Sequence, residues 1–190
     1  MSHDAPTMTI GTKSILFGAH CFFLHPWFVA AAWWKLYGCP FDPRLWFAFG
    51  AHDLGYFGKP NMDGPEGLQH VELGAKIMGF LFGNEWGDFS RYHSRAYAKT
   101  AGRRPSRLCF ADKLAVALTP IWLYLPMARL TGELFEYMGL STPCSGSYEA
   151  ETSNQERWYR NLQEHLRDWV YTHKDDLVGA PALDAVLDPE

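Results

Sequence analysis

The chain has 190 residues, 47% of them hydrophobic and 20% charged, with a formal net charge of -4. That is enough for one domain with a real core, and a pI of about 6.0 leaves no extended basic face for duplex nucleic acid or anionic lipid. Aromatic residues reach 16%, more ring surface than a protein leaves in water, so most are expected in the interior.

In chain order, residues 1–13 read as an N-terminal extension without the charged-then-apolar layout of a signal peptide. Cys21, Cys39, Cys109 and Cys144 form no CxxC, which fits reduced thiols in the cytoplasm. Residues 15–34 are long enough to cross a bilayer. They carry His20, His25 and Pro26 near their middle, groups that would need special partners at membrane depth. Two buried helices meeting near His25, and no membrane, are therefore expected.

Proline in the first turn and Gly38 after the last bracket a helix in PWFVAAAWWKLYG. Asp42 and Pro43 start a second, DPRLWFAFGAHDLGY, with an N-cap followed by proline. It is predicted to end near Gly55, which places His52 and Asp53 in its last turn. The loop 56–67 follows, rich in Gly and Pro. HVELGAKIMGFLFG reads as a third helix and EWGDFSRYHSRAYAKTAG as a fourth ending near Gly102.

PSRLCFADKLAVALT is apolar all round, the mark of a central buried helix, and PIWLYLPMARLTGELFEYMG reads as a helix kinked at Pro126. A polar loop over 141–153 leads to an amphipathic C-terminal helix over 154–176, with Trp158, Leu162, Leu166, Trp169 and Val170 at helical spacing. A tail over 177–190 is expected to fray. Strand signals are nearly absent, so the fold class is all-α, with a helical core over 14–140.

Polar residues interrupt these apolar helices in an ordered series: His25, His52, Asp53, His70, His93 and Asp112. A buried imidazole or carboxylate left unpaired costs several kcal/mol, and a metal site satisfies several at once. Mixed imidazole and carboxylate donors suit Fe, Mn, Co, Ni or Zn. Six ligands exceed the need of one ion and suit two metals bridged by Asp53. His20 competes with His25 for first place in the series, and the Val29-Ala30 continuation favours His25.

In order and context the series resembles the HD-domain superfamily of metal-dependent phosphohydrolases, over about residues 14–120. HPWFVAAAWWKLYG is similar to that family's first helix, AHDLGY to its His-Asp doublet, HVELGAKI to its His-x-Glu-x-Gly-Ala helix, RYHSR to its next histidine and FADKLAVALTP to its closing aspartate helix. The resemblance implies a compact helical bundle with two divalent transition metals. His25, His52, Asp53 and Asp112 would hold one, and His70 and His93 the other, with Asp53 bridging.

It also implies hydrolysis of a phosphate ester or anhydride, with a nucleotide as the expected small-molecule substrate. Asp53, Lys59 and Arg95 are then the candidate catalytic residues. Lys59, Asn61, Arg95, Lys99 and Lys113 are candidates for substrate binding, with Asp63 also available on the loop. Arg103, Arg104 and Arg107 extend the basic run or are simply solvated, and Glu72 is expected to cap its helix. The same ligand pattern occurs in mixed-valence di-iron oxygenases of the superfamily, so oxygenase chemistry stays open. So does a metal-retaining binding module, and the high aromatic content and the C-terminal helix make a homodimer an expectation.

Overall fold

In the computed structural model, residues 8–140 and 154–175 are described, and among them there are ten α-helices and no strand. They are α1 (Ile10–Phe17), α2 (His25–Tyr37), α3 (Pro43–Ala51), α4 (Val71–Phe82), α5 (Asn84–Arg91), α6 (Arg95–Thr100), α7 (Arg107–Leu118), α8 (Ile121–Thr131), α9 (Glu133–Leu140) and α10 (Gln155–His173). The all-α expectation holds. The expected polar loop over 141–153, the tail and Cys144 lie outside the described residues, and α1 begins inside the stretch read as an extension.

α7 is the central helix, as its all-round apolarity predicts, with nine of its side chains buried, Leu108 and Leu114 among them. It packs on α2 through a core that includes Val29, Trp33, Phe49, Met78, Phe89 and Val170. Each such fully buried side chain contributes about 1.5–3 kcal/mol. A second core joins Tyr124 and Leu125 of α8 and Leu134 of α9 to Trp158 and Tyr159 of α10.

α10 closes the domain by serving both cores and by completing the end of α7. The last carbonyls of a helix have no partner inside it. Here Tyr159 Oη donates to Val116 O (2.7 Å), Gln163 Nε2 to Ala117 O (3.1 Å) and Thr119 O (3.0 Å), and Arg167 to Ala117 O (2.7 Å).

Three expected helices are redrawn, two of them at residues of the polar series. The helix begun at Asp42 stops at Ala51, with His52 as its C-cap, and Leu54–Tyr56 form a separate 3-10 turn. The single fourth helix is two, α5 and α6, separated at Tyr92–Ser94. Ser94 caps α6 by accepting from Tyr97 N, and the Ser106 N–H takes up Tyr92 O at 3.0 Å. The single helix expected over residues 120–139 is two, α8 and α9: Pro126 lies inside α8, which ends at Gly132, whose φ of +86° favours glycine.

Among the described residues no single helix is long and apolar enough to cross a membrane. α7 and α8 together are, but they bend by 103° at their junction.

Candidate metal centre

The six residues of the series come from five places in the chain and meet in the interior. His25 opens α2, His52 and Asp53 follow α3, His70 ends a 3-10 turn before α4, His93 lies between α5 and α6, and Asp112 is in the middle of α7. All six are buried, from 1% exposed for His52 to 6% for Asp53. Close backbone approach makes this meeting feasible. A side chain at Gly55 would sit 1.8 Å from His70 O, and one at Gly74 would sit 2.7 Å from Ala51 O; only glycine lets these turns touch.

Three of the imidazoles are held by the same device. The Nδ1–H of His52 donates to Phe49 O (3.0 Å), that of His70 to Gly67 O (2.7 Å) and that of His93 to Ser90 O (2.6 Å). Each acceptor lies three residues back, so the turn that presents the ring also fixes its tautomer. A ring whose Nδ1 carries the proton offers Nε2 as a lone pair, the arrangement metal-binding histidines adopt.

Those lone pairs converge on acidic oxygens and on each other. His70 Nε2 and His93 Nε2 are 3.0 Å apart, two lone pairs face to face, which repel unless a cation or proton lies between them. His52 Nε2 is 3.0 Å from Asp53 Oδ2, yet at that angle neither atom has a hydrogen-bond partner. Orphaned buried polar atoms are rare and costly, and a bound cation would satisfy this donor set. The buried His and Asp side chains can therefore hold metal ions.

The donors fall into two sets that share one residue. One ligand atom each from His25, His52, Asp53 and Asp112 lies within 4.8 Å of the others, and the same holds for Asp53, His70 and His93. Asp53 divides its oxygens between them. Oδ2 faces His52 (3.0 Å) and His25 (3.5 Å), while Oδ1 faces His93 (3.3 Å) and His70 (3.7 Å). His25 Nε2 also meets Asp112 Oδ1 at 2.9 Å, and Lys113 Nζ meets Asp112 Oδ2 at 3.0 Å.

The electrostatics of the two sets differ. Burial opposes charge on His52, but the carboxylates of Asp53 and Asp112 outweigh it and raise the ring to about 10. Burial and then the neighbouring His93 push His70 down to about 3. Asp53 and Asp112 stay well below the carboxylate range against the cost of burial, Asp53 chiefly through His52 and Asp112 chiefly through Lys113.

A cavity of about 280 Å³ lies beside the cluster, its lining including His20, Tyr56, Asp63, Arg95, Lys113 and Trp169. Several of these touch the ligand residues. Tyr56 stacks on His70 at 3.9 Å, and Lys113 holds Asp112. The Arg95 guanidinium lies 5.3 Å from the Trp169 ring centre, a cation–π contact.

Lys59, Asn61 and Lys99 do not line this cavity. Asn61 spends both ends of its amide on the loop, donating to Glu66 Oε2 (2.7 Å) and accepting from Gly67 N (2.9 Å). Glu72 is no helix cap: it accepts from Tyr97 Oη and pairs with Arg91 at 3.4 Å, tying α4 to α5 and α6. Of the basic run, Arg107 is buried against the Tyr37 ring, Arg104 donates to His173 O and Arg103 is exposed.

His20 stays outside both ligand sets. Its Nδ1 lies 3.0 Å from Ser14 Oγ and 3.6 Å from Glu133 Oε2. Sequence reasoning missed Ser14 and Glu133, 119 residues apart and without a motif. It also missed Tyr56, which only its place three residues after Asp53 could have suggested.

The fold and site thus define an all-α protein with a buried His/Asp cluster able to hold metal, compatible with an HD-type site. Comparisons with known protein families, with curated proteins and with solved structures find no match.

Proposed function

We propose that the chain is a binuclear metal-dependent phosphohydrolase of the HD type, cleaving a phosphate ester or anhydride, with a nucleotide as the expected substrate. The observation that carries this reading is the division of Asp53, whose two oxygens face two separate groups of buried imidazoles. A shared carboxylate of this kind suits a pair of ions, which when bound lower the pKa of a water and neutralise charge on phosphorus-bound oxygens.

The protein's own residues would do the rest. Asp53 would bridge, and the backbone carbonyls behind His52, His70 and His93, each accepting from an Nδ1–H, would aim three Nε2 atoms inward. Lys113 and Arg95 line the cavity, which supports them as the cations that would receive a phosphoryl group. Asp112 holds Lys113 charged, although burial opposes it.

The test is release of phosphate or nucleoside from a broad panel of phosphorylated compounds with Mn2+ added, comparing the protein with the His52→Ala, Asp53→Ala double variant. Turnover lost in the variant is the expected result. No hydrolysis by either protein, together with bound iron and substrate-dependent oxygen uptake, would replace the hydrolase by an oxygenase.

A further inference from the structure

A second buried polar assembly ends in the same cavity and takes no part in the ligand sets. Glu133, at 0% exposure, accepts from Ser14 Oγ (2.5 Å) and Ala19 N (2.6 Å) and from Thr131 Oγ1 (3.0 Å). Gly18 makes room for it: a side chain there would lie 2.3 Å from Glu133 Oε1. Burying a carboxylate this completely is expensive and is tolerated when hydrogen bonds surround it.

The direction of those bonds determines what His20 presents. The Ser14 hydroxyl has one proton and gives it to Glu133, so Ser14 Oγ must accept at its 3.0 Å contact with His20, and Nδ1 must carry a proton. The chain of bonds runs from imidazole through hydroxyl to carboxylate. It leaves Nε2 as the ring atom available to the cavity that His20 lines. Tyr56 and Tyr137, at ring separations of 5.0 and 6.5 Å, flank the imidazole.

We infer that His20 contacts the phosphoryl group of a ligand in the cavity through Nε2, oriented by a buried relay of Ser14 and Glu133. The contact needs one proton between nitrogen and oxygen. A phosphate group whose second pKa is about 6 can supply that proton itself, so the contact forms whether the ring or the ligand carries it. The inference rests on the phosphohydrolase reading for the nature of the ligand. It adds to Lys113 and Arg95 a third phosphoryl contact, reached from α1 and α9 rather than from the ligand-bearing helices.

The experiment is binding of inorganic phosphate to the full chain loaded with Mn2+, by calorimetry, with metal content measured on every sample. Two variants separate the roles of the ring atoms. His20→Asn places an amide near Nδ1 and keeps the Ser14 bond but has nothing at Nε2, whereas His20→Gln reaches the Nε2 position. The Asn variant is expected to bind phosphate roughly 10- to 100-fold more weakly, the worth of one charge-assisted hydrogen bond. The Gln variant should stay within about 3-fold of the parent, and Ser14→Ala should fall between them, all with metal content unchanged.

Equal phosphate binding by the parent and the Asn variant would overturn the inference, as would a Gln variant as weak as the Asn one, or loss of metal from either. Should the Asn variant not fold, Ser14→Ala decides: no weakening overturns the relay. A parent protein that holds metal but binds no phosphate overturns the phosphohydrolase reading and this inference with it. A parent that binds, with variants indistinguishable from it, overturns this inference alone.

Discussion

The two ligand sets share Asp53 but are built on different principles. The set of His25, His52 and Asp112 joins α2 and α7, brought together by helix packing, to the C-cap of α3, and holds two carboxylates, Asp53 included, in addition to its imidazoles. The set of His70 and His93 is assembled from turns and holds two imidazoles with only the shared carboxylate. More negative charge in a low-dielectric interior means a stronger hold on a cation. The first set should therefore be the tight site and the second the weak one, filled through Asp53.

The sharpest way to break this comparison is to remove the shared residue. Asp53→Asn should empty both sets, with metal content below one ion per chain and turnover reduced on the order of 10³-fold; elemental analysis and the phosphate-release assay would show it. Two ions still held by that variant would sink the bridging role.

Removing unshared ligands should separate the sets. His70→Ala should leave one ion that resists dialysis against a mild chelator, whereas Asp112→Ala should leave only metal that dialysis removes, an affinity loss of roughly 100-fold or more at the first set. Equal retention in the two variants would show the sets to be equivalent.

The pH dependence sharpens the same contrast. In the metal-free site His52 is raised to about 10, so below that pH a cation entering the first set displaces a proton and affinity rises with pH. His70 is lowered to about 3, so the second set releases no proton from it above roughly pH 4. Titrations between pH 6 and 9 should show about one proton released from His52 on binding of the first ion, and none from His70 on binding of the second.

A smaller effect is expected from the support of His70. Tyr56→Leu removes the ring stacked on it and should weaken the second ion about 10-fold, leaving the first unchanged. Asn61→Ala, which frees the loop leading to His70, should cost about 1 kcal/mol in a thermal or denaturant melt.

Helix punctuation carried most of the fold in the sequence. Asp42-Pro43, Gly38 and the all-apolar α7 were legible because capping and burial act over a few residues. The misplaced boundaries cluster where the site is. In the pattern of a continuous helix over Glu85 to Gly102 the local signal at His93 is a single serine, Ser94, which caps α6. The break there depends on Ser106 reaching Tyr92 O and Phe89 O from the next segment. Away from the ligands, α8 continues through Pro126 and ends at Gly132, because proline inside a helix removes one bond while a left-handed glycine ends the ladder.

The ligand series was legible because polar residues in apolar helices stand out. The loop residues were not: Asn61 has the composition of a substrate contact and the hydrogen bonds of a loop fastener.

What the sequence by itself determined is the all-α class, the central helix and the six-residue series, each written in local periodicity or in residue type. Tertiary structure alone decided which oxygen of Asp53 faces which imidazoles, that His20 pairs with Ser14 and lies near Glu133, and that Glu133 reaches Ser14 across 119 residues. The reason is physical. A residue's type states what it needs when buried, while the partner that meets the need is chosen by which helices pack together, and that choice has no local signature.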